Sequence, residues 1–174
     1  ERFDFRHTRI RDTVYDSLLA PRRASLHEAV GRGLETAYAN RHHEVFDRLA
    51  YHFARADDPV KTFGYLLSLA DKAARSYALD DARRIFGDAS KYVERLPSEV
   101  RDRRWLDLVF GQVNTLTHLG RTREAHALLL EQTARVERLA DASLTGLHLF
   151  WIGYLLGTFG DDEGSVATAR RALE

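Results

Sequence analysis

Apolar residues recur at helical spacing along almost the whole of this chain. Ile10, Val14 and Leu18 fall four residues apart, with Tyr15 and Leu19 beside them, so a helix beginning near His7 is expected to bury one stripe. Just upstream the period differs. Phe3 and Phe5 alternate with Arg2, Asp4 and Arg6, the pattern of a short half-buried strand. A lone strand leaves its hydrogen-bonding edges unpaired, and no later segment reads as a partner, so the chain is expected to begin inside a domain.

The helical pattern then repeats. Pro21 suits the start of a second helix, where its missing N–H would have no partner anyway. Its expected buried stripe is Leu26, Ala29, Val30, Leu34, Ala37 and Tyr38, with Asn40 as a left-handed stop. A third helix over about 42–56 turns Val45, Phe46, Leu49, Ala50 and Phe53 inward. Asp58 then predicts an N-cap with Pro59 as the first helical residue, opening a fourth helix with Val60, Phe63, Leu66, Leu67, Ala70, Ala73, Ala74 and Tyr77. A fifth carries Ala82, Ile85, Phe86, Ala89, Val93 and Leu96 and is expected to end at Pro97. Trp105, Leu108, Val109, Val113, Leu116 and Leu119 mark a sixth, and Ala125, Leu128, Leu129, Val136 and Leu139 a seventh. Asp141 predicts the cap of an eighth, with Leu144, Leu147, Phe150, Trp151, Tyr154 and Leu155, and Gly160 turns into Val166, Ala169 and Leu173.

The turns align with one another. Leu119-Gly120 and Phe159-Gly160 are 40 residues apart, and Ala125 follows Ala82 by 43, each closing a similar corner. Gly153, seven residues before Gly160, supplies a small residue where neighbouring helices approach closely. This style resembles tetratricopeptide repeats, with a period longer than their usual length of about 34. The expected fold is all-α: antiparallel helix pairs in a right-handed superhelix, a TPR-like α-solenoid, with a short N-terminal strand. One pair cannot bury both its faces, so pairs stack and leave a concave surface lined by their first helices.

A second resemblance covers residues 3–38. A strand ending in Phe3-Asp4-Phe5-Arg6-His7, a helix reading Arg11-Asp12-Thr13-Val14-Tyr15-Asp16-Ser17-Leu18-Leu19, then Arg22-Arg23-Ala24-Ser25-Leu26-His27, resembles the end of the winged-helix module of bacterial STAND-type ATPases. There the module hands over to helical repeats, in large LuxR-type regulators and in proteins carrying cyclase or kinase domains. The resemblance implies residues 1–40 as a winged-helix tail and linking helix, and 41–174 as repeats truncated at the C-terminus. It also implies ATP or ADP as cofactor of a parent protein, an upstream nucleotide-binding domain as partner in cis, and a cytoplasmic location. His7 matches the winged-helix histidine that approaches the β-phosphate of ADP in related switches, with Arg6 and Thr8 in place of the usual flanking Met and Asp. A structural cap at the helix start is its other reading.

Composition narrows the partners. Lys plus Arg and Asp plus Glu number 26 each, so no global field favours nucleic acid or an anionic membrane. Arg2, Arg6, Arg9, Arg11, Arg22 and Arg23 make the N-terminal end locally basic, but Asp4, Asp12 and Asp16 interrupt the run, and direct nucleic-acid contact is not expected. The absence of cysteine excludes disulfides and thiolate metal sites. There is no methionine, even at position 1, and the chain stops inside a helical pattern, so an excised piece is expected.

Catalytic patterns are missing. No lysine stands in a Walker A loop, Gly31 and Gly33 lack both a preceding strand and a third glycine, and His42, His43 and His52 do not share a helix face. Asp57/Asp58, Asp80/Asp81 and Asp161/Asp162 read as helix caps, and Tyr15, Tyr51, Tyr65 and Tyr154 as core. No catalytic residue, metal ligand or fragment-bound cofactor is therefore expected. Binding falls to polar residues off the core stripes, Gln112, Asn114, Thr115, His118, His148 and Thr158, as a surface for a protein or peptide, with an ordinary solvated helix face as the alternative. Two functions remain open: a signal-receiving interaction region of an ATP-dependent regulator, or an oligomerisation scaffold that makes homo-oligomers.

Overall fold

The computed structural model describes residues 8–172, and over them the protein is all-α. The strand expected at Phe3 and Phe5, and His7 itself, lie outside the described residues. Ten α-helices follow in order: α1 (Thr8–Ser17), α2 (Ala20–Ala37), α3 (Phe46–Arg55), α4 (Pro59–Arg75), α5 (Leu79–Val93), α6 (Ser98–His118), α7 (Thr122–Leu130), α8 (Thr133–Leu139), α9 (Ala142–Thr158) and α10 (Asp162–Arg171). A 3-10 turn, His42–Glu44, precedes α3. Each of α2 to α6 packs on the next in chain order, and α9 packs on both α7 and α10. Four hairpins result, α2/α3, α4/α5, α6/α7 and α9/α10. The short helix α8, seven residues long, is inserted after the third and rests on α6 and α9.

Local chemistry sets the corners. Asp58, Asp141 and Asp161 cap α4, α9 and α10 by accepting from the backbone N–H groups of Lys61, Leu144 and Gly164. Gly120 and Gly160 adopt positive φ, 73° and 80°, where a side chain is disfavoured. Asp80 and Asp81 do not cap: they lie inside the first turn of α5, where their charge suits the dipole, beside Arg83 and Arg84. Asn40 is no left-handed stop either, since α2 closes at Tyr38 with φ −115°. The non-glycine residues that do enter positive φ among those described are Asp57, Tyr77 and Ala140. Pro97 opens α6 rather than ending α5, whose last residue is Val93.

The seventh helix, expected as one piece over 125–139, is two. The break at Glu131–Gln132 is held by a buried side chain: Gln132 Oε1 accepts from Trp105 Nε1 at 2.9 Å and also from Arg135. Neither glycine nor proline marks the spot. Asp102 on α6 reinforces it by taking Arg135 Nε at 3.0 Å and Arg138 Nη2 at 2.7 Å.

Three apolar clusters fill the hairpins. Leu34, Val45, Leu49 and Phe53 join α2 to α3. Phe63, Ala82, Phe86, Ala89, Val93 and Leu108 join α4, α5 and α6. Leu106, Val109, Val113, Ala125, Leu129, Val136 and Leu155 join α6 to α9. Each fully buried large side chain contributes roughly 1.5–3 kcal/mol of transfer free energy. Trp105 packs on the second and third clusters at once, and so links the two halves.

Two glycines set how closely helices approach. A Cβ on Gly111 would lie 2.5 Å from Phe86 Cζ, and one on Gly31 would lie 2.9 Å from Phe53 Cζ. Gly31 explains a displaced stripe on α2. The helix buries His27, Gly31 and Leu34, while Leu26 and Val30 stay exposed, because the Phe53 ring lies against its backbone at Gly31. The stripe expected on α1 is displaced too: Val14, Tyr15 and Leu19 are all exposed. Gly153 is buried as expected, with Ser165 O of α10 only 3.4 Å from where its Cβ would be.

Candidate functional site

The most organised polar group among the described residues joins the first helices of successive hairpins. Glu35, near the end of α2, receives Lys61 Nζ of α4 on both oxygens, at 2.9 and 2.7 Å, and Tyr65 Oη at 2.5 Å. Lys61 and Tyr65 share one face of α4, four residues apart. Phe53 of α3 supports both: the Tyr65 ring stacks on it at 5.7 Å, and Lys61 Nζ lies 4.4 Å from its centroid. His42 Nε2, 2.9 Å from the Glu35 backbone oxygen, ties the 3-10 turn to the same spot.

These contacts fix protonation. Desolvation pushes the Glu35 carboxyl up, but the hydrogen bonds from Lys61 and Tyr65 and the Lys61 charge outweigh it, so the group sits below its usual range and is anionic. Burial, followed by the bond to Glu35, pushes the Tyr65 phenol far up. The carboxylate is held without its proton and the phenol with its own, whereas a general acid or base must exchange one near working pH. The arrangement is suited to holding a shape and offering contacts.

A groove of about 470 Å³ opens beside this group, lined by Glu35 of α2, by Val60, Lys61, Gly64, Tyr65, Leu67 and Ser68 of α4, and by Arg104 of α6. Nothing lies within 4 Å of the Cβ position of Gly64, so a partner can approach the α4 backbone there. Arg104 pairs with Asp107 at 3.2 Å on its own helix. Burial raises the Asp71 carboxyl, one turn beyond Ser68, with the charge of Asp107 adding and that of Arg75 opposing.

The residues expected to form the partner surface scatter. His7 lies outside the described residues. Thr115 and His148 are buried, at 1% and 3% exposure, and are not surface residues at all. Thr115 Oγ1 returns to the Gly111 carbonyl at 2.9 Å, which removes the need for an outside partner, and His148 Nε2 lies 3.3 Å from Thr133 Oγ1 beneath α8. Gln112 is half-buried and, with Thr115 of the same helix α6, lines a recess with Arg83 of α5 and Glu124 of α7, the second helices of two successive hairpins. Asn114 is half-buried, His118 lies edge-on to Tyr77 at 6.1 Å, and exposed Thr158 donates to the Leu155 carbonyl at 2.7 Å. The tyrosines expected in the core divide, with Tyr65 packed and Tyr15, Tyr51 and Tyr154 exposed.

Sequence reasoning missed Glu35, Lys61, Tyr65 and Arg104, since Lys61 and Tyr65 reach Glu35 from 26 and 30 residues away along the chain. One signal was available: Lys61 is one of three lysines against many arginines, on the same helix as Gly64. His42 and His43 form no site with His52, and no group of three metal-ligating side chains occurs among the described residues. No helix among them is long and apolar enough to cross a membrane. In comparisons with protein-family models, curated proteins and solved structures, none matches this chain.

Proposed function

We propose that this chain is a protein-interaction region built as a TPR-like α-solenoid, which takes a protein or peptide segment along the face of its first helices. The observation that carries this reading is the groove shared by α2, α4 and α6, with Val60 and Leu67 as apolar lining, an open backbone at Gly64 and the charged groups Glu35, Lys61 and Arg104 around it. Apolar surface gives a bound segment its affinity, while Arg104, Ser68 and the Glu35–Lys61–Tyr65 group orient it. The N-terminal resemblance extends the reading. The region would belong to a cytoplasmic ATP-dependent signalling protein, with an upstream nucleotide-binding domain held in its ADP state through these helices and released when a partner binds. Such a partner shifts the equilibrium by its differential affinity for the two states.

The test uses the full-length parent. Gly64→Arg fills the groove, and Gly87→Arg adds the same charge on α5, at a glycine with equally open surroundings. Slower partner-driven ADP release with Gly64→Arg, and an unchanged rate with Gly87→Arg, is the expected result. Equal rates in both variants and the unsubstituted protein contradict it. A scaffold that assembles without switching is favoured by a different feature: α9 carries no Asp, Glu, Lys or Arg, yet leaves Leu147, Phe150 and Tyr154 exposed. For that reading, substitutions at Phe150 change the oligomeric state and leave ADP release unaltered.

A further inference from the structure

The hinge between α1 and α2 carries a polar device independent of the groove. Tyr15 Oη of α1 is 3.0 Å from His27 Nε2 of α2, and His27 Nδ1 is 3.0 Å from His52 Nδ1 of α3. His27 is buried at 8% exposure, whereas Val14 of α1 and Leu19 of the joint after it are exposed. Tyr15 thus ties α1 to α2 through a polar contact. Arg23 adds to it, with its guanidinium 5.3 Å from the Tyr15 ring centroid and 3.8 Å from Asp16. Leu18 and Leu19 form the non-helical joint between the helices.

A neutral imidazole has one N–H and one lone pair. In the neutral pair one proton therefore lies between the two Nδ1 atoms, with either ring as its donor, and the Tyr15 hydroxyl donates to His27 Nε2 when His27 is that donor and accepts from it when His52 is. One added proton can be held on His27, with Nε2–H turned to the Tyr15 oxygen. A second cannot, because two N–H groups and two like charges would then face each other across 3.0 Å.

We propose that Tyr15, His27 and His52 form a proton-operated latch, which holds α1 on the first hairpin while the histidine pair is neutral and frees it when the pair is doubly protonated. The surrounding charges favour the closed, neutral form. Facing the two rings are Tyr15 and Asp16 from α1, Arg23 from α2, and Arg48, Tyr51 and Arg55 from α3, and Asp16 is engaged by Arg23. Burial first, then Arg55, lowers the His27 pKa; burial first, then His27, Arg48 and Arg55, lowers that of His52. Groups that resist protonation in the latched state contribute stability that is present above the ordinary histidine value near 6.5 and is lost as pH falls below it. The latch is therefore closed at pH 8 and opens in the acid range below about 6.5. Opening withdraws Tyr15 from the small recess that it lines with Arg23, Leu26, His27, Val30 and His52.

The chain contains no cysteine, so pairs can be introduced for spin labels without background. Val14→Cys with Gly87→Cys reports α1 against α5, and Gly33→Cys with Gly87→Cys reports α2 against α5. Distances are measured by double electron–electron resonance at pH 8 and pH 5. The expected result is a narrow distribution for the first pair at pH 8 and at least a tenfold rise in its long-distance fraction at pH 5, while the second pair stays unchanged. Tyr15→Phe gives the released distribution at both pH values. His52→Asn, whose amide oxygen accepts from His27 without titrating, keeps α1 latched at pH 5. Identical distributions at both pH values for the first pair overturn the latch, and so does equal broadening of both pairs, which marks general acid unfolding.

Discussion

Phe86→Ala lowers the free energy of unfolding by about 3–5 kcal/mol, the usual loss for deleting a buried aromatic ring. Phe86 is fully buried between α5 and α6, and it lies against the α6 backbone at Gly111. The same geometry predicts a sign reversal. In the unsubstituted protein, Gly111→Ala drives a methyl group to 2.5 Å from Phe86 Cζ, so an overpacking cost of about 1–3 kcal/mol exceeds the gain of about 1 kcal/mol that alanine brings to a helix. Once Phe86 is alanine, the obstruction is gone and Gly111→Ala becomes stabilising. Gly87→Ala, on the exposed side of α5 with nothing within 4 Å, stabilises in either background. A double-mutant cycle by urea unfolding measures all of these, and additivity of Phe86→Ala with Gly111→Ala would refute the close packing.

Trp105→Ala is expected to cost about 3–5 kcal/mol and to change the character of unfolding as well as its midpoint. Trp105 packs on the α4–α6 cluster and on the α6–α9 cluster, its indole N–H donates to Gln132 at 2.9 Å, and the Arg135 guanidinium lies 5.0 Å from its ring centroid. Stability in stacked hairpins is a sum of local and neighbour terms. Removing the side chain shared by two clusters therefore weakens the coupling between them. Calorimetry should show one transition broaden or divide. Trp105→Phe keeps the packing and loses one hydrogen bond, while Gln132 retains Arg135, so it costs about 1 kcal/mol and leaves a single transition.

These cases show what the sequence made legible. The places of α4, α5, α9 and α10 could be read from apolar spacing together with Asp58, Asp141 and Gly160, because caps and positive-φ glycines act through neighbouring residues, but the stripes counted on α9 and α10 are not the buried ones throughout: Phe150, Tyr154 and Val166 are exposed and Thr168 is buried. Burial was harder to read wherever a glycine marks the contact. On α2 the counted stripe included Leu26 and Val30, whereas packing chose Gly31, since a ring can meet a backbone that has no Cβ. The break at Gln132 was invisible for a related reason. It depends on Trp105, 27 residues away, and no local turn chemistry signals it.

The groove was hidden in the same way. Lys61 and Tyr65 look like an isolated lysine and a core tyrosine until Glu35 is brought beside them by α3. Thr115 and His148 were chosen because polar residues usually face solvent, and both were overruled by close helix packing. A threonine can satisfy its hydroxyl on the preceding turn, which makes it a poor marker of an exposed surface.

The central claim is that partners meet this protein along the first helices of its hairpins. The most direct test places a photo-crosslinking phenylalanine derivative at Val60, on the groove, and separately at Gly87, on α5, in the full-length protein. Mass spectrometry then identifies covalent adducts in the cell. Adducts at position 60 that disappear with Gly64→Arg, and none at position 87, are the predicted result. Adducts at position 87 with none at position 60 would contradict the account.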